Sequence, residues 1–254
     1  MRLDTPLLFT FALVFVRCSA MLLASPVFGG NTPVTIRVGF ATVVSAALTP
    51  VMLPHVGTVP TQLYDLGAAV VYEALIGILI GATLHALILA AQMAGAFLDI
   101  QVGLSSIQIL NPQTGTPVSL FAQFKYLLAI VLLLLVNGHH AMFQAFVQSY
   151  QMSPGLGMTS LPGVKDDLVA FVGQLSLLSL QIAAPVAAVC VVVDAAAGIV
   201  NKSVPQMQAF LVTLPAKILL GILALSLGLP LLVVAIQNGV DHTFEALMRM
   251  LAGR

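Results

Sequence analysis

Charge is scarce in this sequence. Of its 254 residues, 59% are hydrophobic and only 7% are charged, with equal numbers of acidic and basic residues. An ordinary soluble domain carries about 25% charged residues, so this chain lacks the charge that would cover a soluble surface. No basic stripe of the kind that binds nucleic acid is present either. We therefore expect an integral membrane protein with no nucleic-acid partner.

Cysteines and catalytic motifs are equally sparse. Cys18 and Cys190 lie far apart in apolar runs without metal-ligand spacing, which predicts two buried thiols. His139 and His140 are adjacent and have no carboxylate or cysteine within a turn, whereas zinc needs three or four convergent ligands. We interpret them as interfacial residues that end a helix. Because the sequence also lacks nucleotide-binding, nucleophile-elbow, HExxH and CxxC patterns, we expect no enzyme activity, catalytic residue, metal or cofactor.

Long hydrophobic runs are what the sequence has in abundance. A helix that spans a bilayer needs about 20 mostly apolar residues, and six regions qualify. They are residues 7–28, 34–53, 66–98, 120–136, 168–193 and 210–236. Hydrophobic segments continue to the end of the chain, so we interpret the first one as an uncleaved helix and not as a signal peptide. The sequence predicts an all-α membrane protein of about six helical segments.

Proline and glycine indicate how these segments pack. Pro185, Pro215 and Pro230 lie inside them, and each removes a backbone donor and favours a kink. In lipid the freed carbonyl needs another partner, such as a neighbouring helix or a water-filled cavity. Gly77 and Gly81 are four residues apart, a spacing that lets another helix backbone approach closely. We expect kinked helices that pack tightly on one another or on partner subunits.

Several ionisable residues adjoin or interrupt the apolar segments. They are Glu73, Asp99, Lys125, Asp194, Lys202 and Lys217. A charge at the centre of a spanning helix costs about 2.5–3.5 kcal/mol, so such groups usually pair or face water. Asp194 and Lys202 would share a face if their helix continues, and Asp99 and Lys125 can meet across the loop between them. We expect pairing that fixes helix contacts, with a proton relay as the alternative.

The segment 103–124, GLSSIQILNPQTGTPVSLFAQF, is semi-polar and uncharged although it lies between two hydrophobic segments. Pro112 and Pro117 disfavour a continuous helix, and Gly115 permits a sharp turn. Irregular backbone at membrane depth is tolerated where protein or a water-filled lumen surrounds it. Composition alone leaves open both a pore-lining or re-entrant loop and an ordinary connecting loop.

Four stretches, in this order, carry a resemblance to a known family. They are GAFLDIQVGLSS (95–106), NPQTGTPVSLFAQF (111–124), NGHH (137–140) and DAAAGIVNKSVPQMQAFLVTLPAK (194–217). The chain resembles, over nearly its whole length, the FliR family of flagellar biosynthetic, type III secretion export-gate membrane proteins. Asn111 departs from the family pattern, in which an Asp commonly precedes the proline. The NGHH stretch favours the flagellar branch over the virulence-type branch.

The resemblance implies one FliR-like membrane domain over 1–254, with a FliP-like part over about 1–150 and a FliQ-like helical hairpin over about 165–254. Such subunits assemble with FliP-like and FliQ-like subunits into a helical export gate that lies largely above the membrane plane. Further expected partners are FlhB-like and FlhA-like components, membrane lipid and the unfolded flagellar proteins that are exported. The implied location is the bacterial inner membrane, within the flagellar basal body.

The resemblance also places functional residues. A plug loop that closes the channel maps to about 104–118. Its expected members are Leu104, Ser105, Ser106, Ile107, Gln108, Ile109, Leu110, Asn111, Pro112, Gly115 and Pro117. Beside these, the charges in apolar runs and the proline pattern indicate buried charge and packing positions at Asp99, Lys125, Asp194, Lys202, Pro205 and Lys217.

Two other functions compete with an export gate. A secondary transporter of a small solute predicts inverted repeats and a midplane site on broken helices; the sequence has interrupted helices but no repeat symmetry. An intramembrane enzyme needs a convergent catalytic set, which the sequence does not offer.

Overall fold

The computed structural model describes residues 5–30, 32–54, 56, 62–103, 119–152, 164–203 and 209–252. Over these ranges the regular secondary structure is helical, in seven helices. They are α1 (Thr5–Ala24), α2 (Val34–Met52), α3 (Leu63–Val102), α4 (Leu120–Leu135), α5 (Gly138–Met152), α6 (Val164–Ser203) and α7 (Ala209–Ala252). The predicted all-α fold is confirmed.

Five of these helices, α1, α2, α3, α6 and α7, are long and apolar enough to cross a membrane. The helices α4 and α5 together make a sixth candidate span, interrupted near Asn137. Asn137 has a left-handed backbone with φ of 59°, a conformation that asparagine adopts more readily than most residues. The expected number of apolar helical segments is therefore confirmed.

Three helices are much longer than the hydrophobic runs that predicted them. The helices α3 and α6 have 40 residues each and α7 has 44. Pro185 lies inside α6, and Pro215 and Pro230 lie inside α7, so these prolines do not end their helices. Each proline removes only one donor from its helix, and the flanking apolar residues continue the helical pattern.

The histidine pair is placed differently from the prediction. His139 and His140 were expected to end a helix, but they lie in the first turn of α5. The reason is the left-handed Asn137, which closes α4 and lets a new helix begin at Gly138.

The chain packs as two compact units. The first unit comprises Met1–Leu87, Leu133–Val172 and Gly239–Arg254, and the second comprises Ile88–Leu132 and Gly173–Asn238. These packing units do not follow the division at about 1–150 and 165–254 that the resemblance implies, and that division stays a prediction. Cys18 in the first unit and Cys190 in the second are both free and buried, as predicted.

In the first unit, α1 packs on α2 and also approaches α3 closely. A Cβ atom at Gly77 would lie 2.9 Å from the Ala20 Cβ and 3.0 Å from the Met21 nitrogen. At Gly81 it would lie 2.8 Å from the Ala24 Cβ. Both distances are too short for a side chain, so the two glycines create the close contact between α3 and α1 that their spacing predicts.

Candidate functional site

The candidate site lies in the second unit, at the two ends of the segment 104–118. The predicted plug residues themselves lie outside the described residues, as does Pro205. The structure does describe the end of α3, which precedes this segment, and the start of α4, which follows it. We call the residues that hold these two ends the frame: Gly95, Asp99, Gln101, Gly103, Phe121, Ala122, Asp194 and Lys217.

Asp99, in the last turns of α3, caps the N-terminus of α4. Its Oδ1 accepts a hydrogen bond from the Phe121 backbone N–H at 3.1 Å, and its Oδ2 accepts one from the Ala122 N–H at 3.2 Å. The first amides of a helix have no intrahelical acceptor, and a carboxylate is favoured there by the helix dipole. Asp99 is only 2% exposed, so its charge is stabilised inside the protein by these amides.

The expected meeting of Asp99 and Lys125 is not what the structure has. Lys125 is also buried, but within the described ranges Asp99 is bonded to the α4 amides and forms no ion pair with Lys125. The partners that Asp99 has instead are the two backbone N–H groups at the start of α4, which lie against the end of α3.

Gly95 explains how α3 and α4 come close enough for this cap. A Cβ atom at Gly95 would lie 2.5 Å from both the Ala122 Cα and the Phe121 carbonyl oxygen. Any side chain there would collide with backbone, so the glycine is required for the approach. The two helices that flank 104–118 are therefore in direct backbone contact.

Lys217 on α7 holds the C-terminal end of α3. Its Nζ donates to the Gln101 carbonyl oxygen at 3.1 Å and pairs with the Asp194 Oδ1 at 2.6 Å. The last carbonyls of a helix lack intrahelical donors, and a cation is favoured beside them. The side chain of Lys217 is 15% exposed, whereas that of Asp194 is 51% exposed.

The charge pairing on α6 thus differs from the expected one. Asp194 and Lys202 lie on one continuous helix, as the eight-residue spacing assumed. Within the described residues, however, the ion pair of Asp194 is with Lys217, and Lys202 is exposed. Because α7 approaches α6, Lys217 lies nearer to Asp194 than does Lys202, which is on the same helix as Asp194.

Gly103 is the exit from α3. Its N–H donates to the Ile100 carbonyl at 3.1 Å, and its φ is +87°. This left-handed conformation is costly for residues that have a Cβ, and glycine is the usual residue just after a helix end. Gly103 therefore fixes the direction in which the chain leaves α3.

Comparison with known proteins supports the family resemblance that the sequence motifs around this frame indicate. The family described as Bacterial export proteins, family 1, matches residues 8–243. A flagellar biosynthetic protein FliR of Bacillus subtilis (strain 168) is 32% identical over 250 residues, which is 95% of this chain and 94% of the relative. The chain belongs to the FliR family of bacterial export proteins.

Other FliR relatives give the same result. The FliR of Caulobacter vibrioides is 33% identical over 219 residues, covering 86% of this chain and 87% of the relative. A surface presentation of antigens protein, SpaR, of Salmonella typhimurium is 28% identical over 150 residues, covering 58% and 56%. This FliR-family chain is therefore a membrane protein of the flagellar and type III export group, which favours protein export over transport of a small solute.

A second polar cluster in this FliR-family chain lies in the first unit; the sequence singled out Glu73 as a charge that needs a partner, but not the residues that pair with it. The Arg17 Nε donates to Glu73, and its Nη1 donates to the Ser149 Oγ at 2.7 Å. The Tyr150 hydroxyl donates to the Glu73 Oε2 at 3.3 Å, and the Arg17 guanidinium lies 3.6 Å from the centre of the Tyr150 ring. The buried cluster joins α1, α3 and α5, and we assign it a role in holding these helices together.

Proposed function

We propose that this chain is a subunit of the flagellar type III protein export gate and forms, with FliP-like and FliQ-like subunits, the channel for unfolded flagellar proteins. In this proposal the segment 104–118 plugs the channel. Two groups of observations support it: the apolar length of the helices and the frame around that segment.

The main observation in favour of a channel shared with other subunits is the length of the exposed apolar surface on α3. This proline-free helix exposes large apolar side chains from Leu63, 85% exposed, to Ile100, 65% exposed. At 1.5 Å per residue the helical stretch from the first position to the second is about 56 Å long. A bilayer is about 40–45 Å thick even with its headgroups, so lipid alone does not cover this surface if the helix stands upright.

Tilting the helix does not remove the difficulty. Fitting about 56 Å into a hydrocarbon core of about 30 Å requires a tilt above about 55°, whereas spanning helices tilt by roughly 0–40°. The same reasoning applies to α6, where exposed apolar residues run from Leu168 to Val200. Large exposed apolar surfaces mark protein or membrane contacts, and sister subunits provide the cover that lipid does not.

The frame supports the plug. Asp99 and Gly95 hold the start of α4 against the end of α3, so the segment 104–118 leaves and re-enters at neighbouring points. In this proposal the segment closes the channel opening between these two held ends. Its residues carry no charge, so they can seal against other subunits and separate again without the cost of desolvating ions.

The remaining parts of the proposal follow from family membership. The FliP-like part over about 1–150 and the FliQ-like hairpin over about 165–254 would each contact the corresponding sister subunits. FlhB-like and FlhA-like components would supply further contacts, and other components and the proton motive force would supply the energy. The location is the bacterial inner membrane, within the flagellar basal body.

The test is a deletion inside the plug. Removing residues 107–112 from the chain, expressed together with its FliP-like and FliQ-like subunits, should raise the ion conductance of the membrane while the subunits still co-purify. A deletion of equal length at 155–160 is the matched control and should leave conductance unchanged. Unaltered conductance in an assembled plug-deletion complex would overturn the plug, and failure of the unmodified chain to co-purify with these subunits would overturn the gate.

A further inference from the structure

We propose that Lys125 on α4 is a point of contact with a sister subunit, and that its ammonium group pairs there with a carboxylate side chain of that subunit. The inference rests on the proposed assembly of the export gate and adds to it the chemistry of one contact between subunits.

The first step is the position of Lys125 on its helix. It is the one charged residue of α4 and lies on the buried side, where it is 4% exposed between Ala122 at 4% and Ala129 at 0%. The exposed side of α4 carries large apolar residues instead, among them Leu127 and Val131. Because a buried charge is tolerated only when it is paired, this placement calls for an acceptor.

The second step is the charge balance of the second compact unit, to which Lys125 belongs. The sequence of this unit contains three lysines but only two acidic residues, Asp99 and Asp194. Asp99 accepts from the α4 amides, and Asp194 pairs with Lys217. Within the described residues Lys125 forms neither an ion pair nor a hydrogen bond. The unit therefore keeps one buried cation that has no counterion in this chain.

The third step is how a partner reaches the ammonium group. Its nitrogen is not among the fully buried side-chain atoms that lack a hydrogen bond, so part of it stays accessible from outside. A carboxylate is the acceptor that forms the strongest hydrogen bonds with a lysine. A lipid phosphate would approach α4 from its apolar outer side, whereas Lys125 lies on the inner side. A carboxylate side chain of a sister subunit is therefore the partner that fits.

The first test compares the isolated chain with the assembled complex. Lys125→Met exchanges the cation for an unbranched apolar side chain. In the purified chain this removes an unpaired buried charge, so the midpoint of thermal unfolding should rise by about 2–4 °C. In the complex with FliP-like and FliQ-like subunits the same change leaves a carboxylate of the sister subunit unpaired. The yield of co-purified subunits should therefore fall several-fold.

Two further variants make this comparison specific for charge. Lys125→Arg keeps a cation and should co-purify clearly better than Lys125→Met. Lys165→Met, at an exposed lysine in the first turn of α6, is the matched control and should change neither the midpoint nor the yield. Equal losses for methionine and arginine at position 125 would show that the contact depends on side-chain shape and not on charge, and would overturn the inference.

A zero-length cross-link in the unmodified complex identifies the partner. An apolar carbodiimide activates a carboxyl group, the Lys125 amine forms an amide with it, and the carbodiimide leaves as a urea that has taken up the elements of water. Mass spectrometry of the joined peptides supports the inference if Lys125 is linked to a sister subunit and overturns it if the link is to Asp99. Lys125→Arg should give no product, because a guanidinium stays protonated. If the unmodified complex gives no product, the co-purification yields decide.

The outcomes also separate this contact from the proposed function. If the unmodified chain does not co-purify with the FliP-like and FliQ-like subunits, the export gate itself is wrong. If it does, and Lys125→Met co-purifies equally well, the contact is wrong and the gate stands. A lowered midpoint of the purified Lys125→Met chain would show that Lys125 already has its partner within the chain, and would also overturn the contact. A reduced yield with an unchanged or raised midpoint supports it.

Discussion

Arg17 on α1 donates from its Nε to the carboxylate of Glu73 on α3, and both side chains are fully buried. Fifty-six residues separate the two in sequence. Ser149 accepts a further hydrogen bond from the guanidinium, and the ring of Tyr150 lies against it. Because buried charges are tolerated only when paired and hydrogen-bonded, this cluster fixes which faces of α1, α3 and α5 meet.

The first prediction concerns removal of one partner from this pair. Arg17→Met or Glu73→Leu should each lower the free energy of unfolding by about 3–5 kcal/mol, because the remaining charge is left buried and unpaired. The double variant should lose much less than the sum, since apolar residues of similar volume often replace buried ion pairs at little cost. The measurement is denaturant unfolding of the purified chain in mixed micelles.

The control for this cycle is Arg249→Met, at an exposed arginine on α7, where the change should be within about 0.5 kcal/mol. Additive losses in the double variant would show that the two side chains do not depend on each other.

The second prediction concerns the close contact between α1 and α3. Gly77→Ala places a Cβ atom against the Met21 nitrogen and the Ala20 side chain, and overpacking of this kind typically costs about 1–3 kcal/mol. Gly67→Ala on the same helix is the matched control, because a Cβ there meets nothing within 4 Å. Alanine at position 67 should be neutral or stabilising by up to about 1 kcal/mol.

Unfolding free energies of the two alanine variants, measured side by side, test this contrast. Equal stability of Gly77→Ala and Gly67→Ala would mean that α1 does not approach α3 at position 77.

Hydrophobicity predicted the helix ends well where a helix-breaking residue marks the boundary. The run 34–53 became α2 (Val34–Met52) and the run 120–136 became α4 (Leu120–Leu135), because Pro33 precedes the first and Asn137 follows the second. The starts of α3 and α6 were placed too late. Asp65, Asp166 and Asp167 interrupt the apolar pattern, yet acidic residues in a first turn favour a helix.

The frame was predicted only in part. The sequence singled out Asp99, Asp194 and Lys217 as charges that need partners, but the partners depend on which helices approach each other. An eight-residue spacing places Asp194 and Lys202 on one face of α6 and contains no information about the position of α7. Asp99 accepts hydrogen bonds from backbone amides. A contact of this kind cannot be predicted from the spacing of charged side chains in the sequence.

The last prediction concerns the Asp99 cap. Asp99→Ala removes the acceptors of the Phe121 and Ala122 amides, so the first turn of α4 should open more often. Loss of an N-cap costs about 0.5–2 kcal/mol, and 1.4 kcal/mol corresponds to roughly tenfold faster exchange of amides that open locally. Hydrogen exchange followed by mass spectrometry of the region 119–124 measures this directly.

Asp99→Asn provides the comparison, since its one amide oxygen still accepts a hydrogen bond and its exchange should fall between the alanine variant and the unmodified chain. Amides at 145–150 on α5 should exchange alike in all three proteins, because they belong to the other packing unit. If Asp99→Ala left amide exchange in 119–124 unchanged, α4 would begin independently of α3. The Asp99 hydrogen bonds would then not be what holds the two helix ends of the frame together.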